Sequence, residues 1–331
     1  MVAYRGCKLN PDLGERSRES LRGKLALTNS SRFLVVSHDR GGAEVIADFV
    51  TGLGAETWFV TAGPARNVFA EAFPERVEVS LEKGLDWADT VIVATGWQTD
   101  WELSAQAAAQ SRGLRTAVVL DNWVNFSGRF KHHGYAIEPI ELWVVDALAA
   151  QKAEEVFPES ITRVLPWSHY DLVVNKIILA RAGRAEGEDG RLRVLFLGEN
   201  VEGFEATFDQ KQDFGFSQFD ALAYVDRVLS DRKVRGLDLR LRPHPSEKPE
   251  RYQNVITGLT CHTELSQSDL ITDLAWCDIA VGLSSIALYF ASRAGVPTCT
   301  CFPVGHSDYH ASPWGFPTLV ALLDEIGWPA S

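Results

Sequence analysis

The sequence predicts an α/β chain built as two doubly wound domains in tandem, facing a cleft. Three observations predict it. From Arg32 onward, short apolar runs alternate with segments of helical spacing, the mark of parallel strands joined by crossover helices. The runs are apolar at successive positions, so both faces of each sheet are covered. The alternation then breaks at the charged, glycine-containing stretch "RAEGEDGR" and restarts, dividing the 331 residues into two parts of ordinary domain size. The expected boundaries are an N-terminal extension at 1–31, a first domain at 32–183, a linker at 184–190 and a second domain at 191–331.

In the first part, "RFLVVSHD" reads as a strand, and "GGAEVIADFVTGLG" as a helix stopped by Gly54. "AETWFVTA" and "ARNVFAEAF" repeat the pair. "RVEVS" and "DTVIVATG" are strands, "WELSAQAAAQSRG" a helix with a glycine stop, and "RTAVVLD" a strand leading into a long loop through Pro139. "ELWVVD" and "ALAAQKAEEVF" close the set. In the second part, "LRVLFLGEN" is a strand, "SQFDALAYVDRVLSDR" a helix and "LDLRLRPHP" a strand. "DLITDLAWC", "DIAVGL", "SSIALYFASRAG" and "PTCTCF" read helix, strand, helix, strand, and "PTLVALLDEIG" is a last helix.

With 46% hydrophobic residues, including 17 Phe and 10 Trp, the chain has ample material for packed cores. The formal net charge of −12, with no long basic run, argues against nucleic acid as a partner and against bulk attraction to anionic lipid. No apolar run is long enough to span a bilayer, which leaves room for peripheral membrane association only. The first thirty residues lack a signal peptide's apolar segment. The odd set Cys7, Cys261, Cys277, Cys299 and Cys301 has no disulfide spacing and reads as reduced thiols in a cytoplasmic protein.

In open α/β sheets ligands bind beyond the carboxyl ends of the strands, so the residues just after each strand are the candidates. In "LRLRPHPSEKPERY", Arg242 and His244 leave a strand, and Pro243 and Pro245 stiffen the backbone around His244. A permanent cation beside an imidazole donor suits a phosphate; a rigid turn is the plain alternative. Ser284 and Ser285 open a helix after "DIAVGL", where hydroxyls and free N–H groups suit an anion or simply cap the helix. In "SHDRGGAEVIADF", His38, Asp39 and Arg40 follow the first strand, and Gly41 and Gly42 permit close approach of a ligand. In "LDNWVNFSGRF", Asp121 is a candidate general base, with Asn122 and Trp123 beside it and Arg129, His132 and His133 in the loop beyond. Trp123 would stack on a sugar or base, or pack in the core. Glu199 ends the first strand of the second domain and would bind a nucleotide hydroxyl or act in catalysis. His306, Asp308 and His310 alternate in "HSDYH" but lack a fourth ligand, and no Asp-x-Asp occurs, so no metal is expected. Neither a P-loop, a G-x-G-x-x-G fingerprint nor a G-x-S-x-G elbow is present.

"RPHP" followed by "CDIAVGLSSIALYFASRAGVP" resembles the nucleotide-binding domain of GT-B glycosyltransferases, nearest by motif to bacterial sialyltransferases, Kdo transferases and CDP-glycerol glycerophosphotransferases. The resemblance covers residues 191–331; residues 32–183 share only the Rossmann-like pattern. It implies that His244 and Ser284 or Ser285 hold the phosphate of a nucleotide-sugar donor, CMP-linked in first place and UDP-linked in second. It implies a glycan or other hydroxyl acceptor, and an inverting, metal-independent transfer without a bound cofactor, as in surface polysaccharide or glycoconjugate synthesis. The acidic Asp/Glu-Asp-Gly motif that supplies the base in such sialyltransferases is absent. Asp121, Asp39 and then His38 are the substitutes. "NVEGFEATFDQKQDFGF" would be a lid over the site or a surface loop. The rival readings are a nucleotide-sugar hydrolase or epimerase of the same fold, and a non-catalytic binding protein.

Overall fold

The computed structural model describes residues 31–53, 55–96, 99–132, 135–165, 168–184, 191–205, 214–233, 236–303, 305 and 314–327. The N-terminal extension, most of the 184–190 segment, the centre of the expected lid, His133, Cys7 and the His306–His310 run lie outside the described residues. The chain divides into two compact units, Met1–His169 and Tyr170–Ser331.

The first unit is a seven-stranded sheet. Its strands are β1 (Phe33–Ser37), β2 (Thr57–Thr61), β3 (Val77–Glu78), β4 (Thr90–Val93), β5 (Arg115–Leu120), β8 (Glu141–Val144) and β9 (Ile161–Val164). The order is β3-β2-β1-β4-β5-β8-β9, with every pairing parallel. The helices are α1 (Arg40–Leu53), α2 (Ala65–Ala72), α3 (Leu81–Trp87), α4 (Trp101–Ser111) and α5 (Ala147–Val156). The long loop after β5 carries a short 3-10 turn (Ser127–Phe130) and a two-stranded antiparallel ribbon, β6 (Lys131–His132) and β7 (Tyr135–Ala136). All five residues of β1 are buried, as a central strand covered on both faces must be. Each such aliphatic side chain contributes roughly 1.5–3 kcal/mol.

The strand order turns back between β1 and β4: β2 and β3 continue on one side, β5, β8 and β9 on the other. This switch point opens a crevice at the carboxyl ends of β1 and β4. Gly42 lets α1 start hard against it, because a Cβ there would stand 2.7 Å from Cβ of Ala94, just past β4.

The second unit repeats the plan with five parallel strands, β10 (Leu192–Leu197), β11 (Leu237–Arg242), β12 (Thr263–Leu265), β13 (Ile279–Gly282) and β14 (Thr298–Thr300). Their order is β12-β11-β10-β13-β14, and the switch point falls between β10 and β13. Its helices are α6 (Ser168–Ala182), α7 (Val201–Glu205), α8 (Gln218–Asp231), α9 (Glu250–Ile256), α10 (Leu270–Trp276), α11 (Ile286–Arg293) and α12 (Leu319–Glu325). Ser217 and Asp220 form a reciprocal capping box at the start of α8. One core gathers Val194, Phe196, Leu239, Leu241, Val281, Cys299 and Cys301 with the apolar stripe of α8. Cys299 and Cys301 are buried free thiols there, and burial pushes both well above their ordinary range. They are small core residues. Helix α6 travels with this unit. Arg181 Nη1 donates to the carbonyls of Leu274 (3.1 Å) and Cys277 (2.7 Å), and Arg184 pairs with Asp278 at 2.6 Å.

Candidate functional site

In the first unit the residues after β1, β4 and β5 converge. His38 Nδ1 lies 2.8 Å from Asp39 Oδ1. A carboxylate at Nδ1 places the proton there and leaves a lone pair on Nε2. Nε2 has no hydrogen-bond partner among the described residues and lies beside Gly63, whose absent Cβ would sit 2.6 Å away. Gly63 holds φ at +47°, which glycine adopts without the cost a side chain brings. A base oriented by a carboxylate is the arrangement of an activated proton acceptor.

Behind this pair stands Glu102, in the first turn of α4 and 3% exposed. Its Oε1 accepts the backbone N–H of His38 at 2.8 Å. Its Oε2 is buried without a hydrogen-bond partner. Around Gly96, the position of a missing Cβ lies 2.6 Å from Glu102 Oε2 and 2.7 Å from Asp39 Oδ2, so the two carboxylates face one another across it. Burial first, and the charge of Asp39 besides, raise the Glu102 carboxyl to about 7. The sequence offered one overlooked signal for this residue. Glu102 and Gln106 are spaced by four on α4, and both are buried with Leu103, Ala105 and Ala109.

The second strand-end candidate of this unit has a different task. Asp121 Oδ1 accepts from Arg129 Nη1 at 2.7 Å, and the same Nη1 reaches Thr95 Oγ1 at 2.8 Å. Asp121 Oδ2 fills the space over Gly41, where a Cβ would be 2.2 Å from it. The loop thus carries Arg129 back onto the strand ends and ties down Asp121. The Asp121 carboxylate is thus paired with a guanidinium, whereas His38 Nε2 is not. Asn122 Oδ1 accepts the backbone N–H of Trp123 at 2.6 Å, a local turn. Trp123 is 1% exposed and donates its indole N–H to Asp146 Oδ1 at 2.9 Å. It offers no face for stacking on a sugar and is a core residue, because Asp146, the half-buried cap of α5, gives its one polar atom a partner. A groove of about 630 Å³ lined by Thr51, Thr57, Phe59, Phe73, Arg76 and Val77, among others, lies where β2 and β3 begin, away from these residues.

In the second unit His244 stands clear of β11. Its Nδ1 accepts from Ser246, Oγ at 2.8 Å and N at 3.2 Å, and Ser246 Oγ in turn accepts from Asn200 Nδ2 at 3.0 Å. Two donors on Nδ1 put the ring proton on Nε2. Burial lowers the imidazole below its ordinary value, so at neutral pH His244 presents a neutral N–H. The turn is fixed beneath by the buried carboxylate of Glu247, which accepts from Tyr252 at 2.6 Å and Gln218 at 3.1 Å.

Arg242, expected beside His244 as a second phosphate ligand, is engaged within the fold. Alternate residues of a strand share a face, so Arg240 and Arg242 both turn to Asp273, which is 0% exposed. Arg242 Nη1 lies 2.9 Å from Asp273 Oδ2 and 2.6 Å from the carbonyl of Ser268. Ser284 and Ser285 are likewise engaged. Their backbone N–H groups donate to Glu199 Oε1 at 2.5 and 2.6 Å, and Ser284 Oγ donates to Oε2 at 2.9 Å. Ser285 also caps α11 through the N–H of Ala287. The anion seat expected for a phosphate thus holds the chain's own carboxylate. Glu199 reaches it because β10 and β13 are neighbours at the switch point. Burial raises the Glu199 carboxyl, against the pull of these donors.

No protein-family model and no curated protein matches this sequence. Solved structures do. A Listeria monocytogenes protein assigned as UDP-N-acetylglucosamine 2-epimerase is 12% identical with a TM-score of 0.57, covering 90% of this chain and 88% of that one. The UDP-GlcNAc 2-epimerase of Neisseria meningitidis, bound to UDP-GlcNAc, is 12% identical with a TM-score of 0.56, covering 89% and 90%. S. aureus MnaA with UDP is 13% identical with a TM-score of 0.53, covering 84% and 80%. At this identity the likeness shows the fold, a GT-B-like pair of Rossmann-like domains. It supports the fold of the glycosyltransferase resemblance and not the narrower likeness to sialyltransferases or Kdo transferases. Among the described residues no helix is long and apolar enough to cross a membrane.

Proposed function

We propose that the chain is an enzyme acting on a nucleotide-activated sugar, UDP-linked in first place, and that it works as an epimerase or hydrolase. The observation that carries the reading is the His38 imidazole held at Nδ1 by Asp39, 2.8 Å away, at the switch point of the first sheet. His38 Nε2 takes a proton from a sugar carbon or from water, and Asp39 stabilises the imidazolium that forms. When the proton comes from the carbon beside the anomeric centre, the C–H electron pair forms a C=C bond as the nucleoside diphosphate leaves. Re-addition of the diphosphate with a proton on the opposite face of that carbon gives the epimer. When the proton comes from water, the hydroxide attacks the anomeric carbon, the diphosphate leaves and the sugar is freed. The second unit takes the nucleotide, with His244 donating from Nε2 to a phosphate oxygen. Fold-level likeness to UDP-sugar epimerases supports this ordering of the readings. The transferase reading asked Arg242 and the two serines to stabilise the leaving phosphate, and all three are otherwise engaged.

The test is binding followed by product analysis. UDP, UDP-sugars, CMP, CDP and GDP are titrated against wild type and His244→Ala. Loss of one neutral hydrogen bond predicts about tenfold weaker UDP binding in the variant. Incubation with UDP-sugars in deuterated water then separates the outcomes. Deuterium at an inverted sugar carbon marks an epimerase and free sugar a hydrolase. Turnover only when a hydroxyl acceptor is added would restore the transferase, and no binding of any nucleotide would sink the proposal.

A further inference from the structure

Among the described residues the first unit buries two carboxyl groups that the proton transfer just described does not use: Glu141, which is tied to Arg115 and Arg163, and Glu102. Glu102 places one oxygen under the His38 amide and leaves the other unpartnered against Asp39. We propose that Glu102 is a positioning residue which fixes the His38–Asp39 pair from behind and sets how many protons the three groups share.

The geometry carries this in three steps. The His38 N–H to Glu102 bond joins residues 64 apart in sequence, so it pins the turn after β1 to the start of α4 and fixes where the imidazole leaves the backbone. Next, the buried Glu102 carboxylate and the partly buried Asp39 carboxylate both border the space over Gly96, where two negative charges near one another are costly. One proton on the pair relieves this. Last, the proton belongs on Glu102, because Asp39 has the His38 ring as its charge-assisted partner and Glu102 is met only by backbone amides. The titratable groups facing Glu102 are Asp39 and His38. Asp121 stands further along, over Gly41, and is held by Arg129. The burial that raises Glu102 to about 7 agrees with this placement. When His38 takes a proton, the charge on Asp39 balances it, and a neutral Glu102 adds no second anion to the site.

The inference rests on His38 being the proton-transfer group, but it is read by titration, so it can fail or hold whatever the nucleotide assays give. The His38 ring is followed by NMR from pH 5 to pH 9 in wild type and Glu102→Gln. The glutamine keeps a carbonyl oxygen for the His38 N–H and removes the titratable charge. The expected wild-type curve is broadened by coupling to Glu102. The variant's curve is a single step, because the ionisation of Glu102 at about 7, which couples to the ring in wild type, is gone. Superimposable curves on folded protein would overturn the proposal. If Glu102→Gln does not fold, carboxyl-labelled glutamate in Asp39→Asn decides. One glutamate that titrates at about 7 in wild type should move downward, and no such movement overturns the proposal.

Discussion

Removing Arg242 separates a tie within the fold from a ligand for phosphate. Arg242→Met keeps the aliphatic stem against the sheet and deletes the guanidinium. That breaks the 2.9 Å pair with Asp273 and the 2.6 Å bond to the Ser268 carbonyl. A bond to a charged group is worth about 1.5–3 kcal/mol and a carbonyl bond about 1 kcal/mol. Stripping one partner from a buried pair costs about 3–5 kcal/mol. Asp273 keeps Arg240 at 3.3 Å and Ser266 Oγ at 2.5 Å, so the lower end applies, about 2–4 kcal/mol. For a unit of this size that is a fall in Tm of roughly 5–12 °C. Thermal unfolding measures it, and titration with UDP below the new Tm measures binding, expected within about twofold of wild type. A variant as stable as wild type but no longer able to bind nucleotide would refute the structural reasoning and return Arg242 to the phosphate.

Gly63→Ala should lower turnover about 100-fold, because a methyl 2.6 Å from His38 Nε2 pushes the imidazole aside. The stability loss should stay near 1–2 kcal/mol, from the positive φ; unchanged kinetics would remove His38 from the chemistry. Glu102→Gln should change how stability depends on pH. The Glu102 carboxyl is raised on folding from 4.5 to about 7. Its stabilising contribution is therefore complete below about 4.5 and is lost as pH rises through about 7. Glutamine mimics the neutral acid, so relative to wild type the variant should gain about 3 kcal/mol between pH 4.5 and pH 8 in urea unfolding. A constant difference across that range would show that Glu102 folds as an ordinary carboxylate.

Much of the frame was legible because the central strands carry their own signal. The runs at β1, β4 and β13 are buried at every position, and such runs between helix-spaced segments leave few alternatives. Strand β9 was missed because Ile161 and Val164 are exposed and its middle residues half-buried, so neither a continuous nor an alternating pattern exists. Strand β12 is three residues long and half-buried. Helix α3 spans seven residues around Gly84, too short for a period to show. The candidate site follows the same division. Strand ends named His38, Asp39, Asp121, Glu199 and His244, because chain order alone puts them at the crevice edge. Their partners come from elsewhere: Glu102 for His38, Asp273 for Arg242, the serines for Glu199. Which groups neutralise each other is a fact of packing, and spacing along the chain does not record it. A glutamate in a helix's first turn reads as ordinary dipole compensation, which hid Glu102.

The carboxylate of Glu199 on the Ser284 and Ser285 amides has a consequence for any anion arriving from solution. It competes with a rival on a leash. A side chain held by its own backbone acts at an effective concentration in the millimolar range or above, so a free monoanion at micromolar level does not dislodge it. A multiply charged group does better, since it gains more from the same two amides. The helix start then behaves as a threshold, closed to dilute single charges and open only to a ligand that brings further contacts of its own.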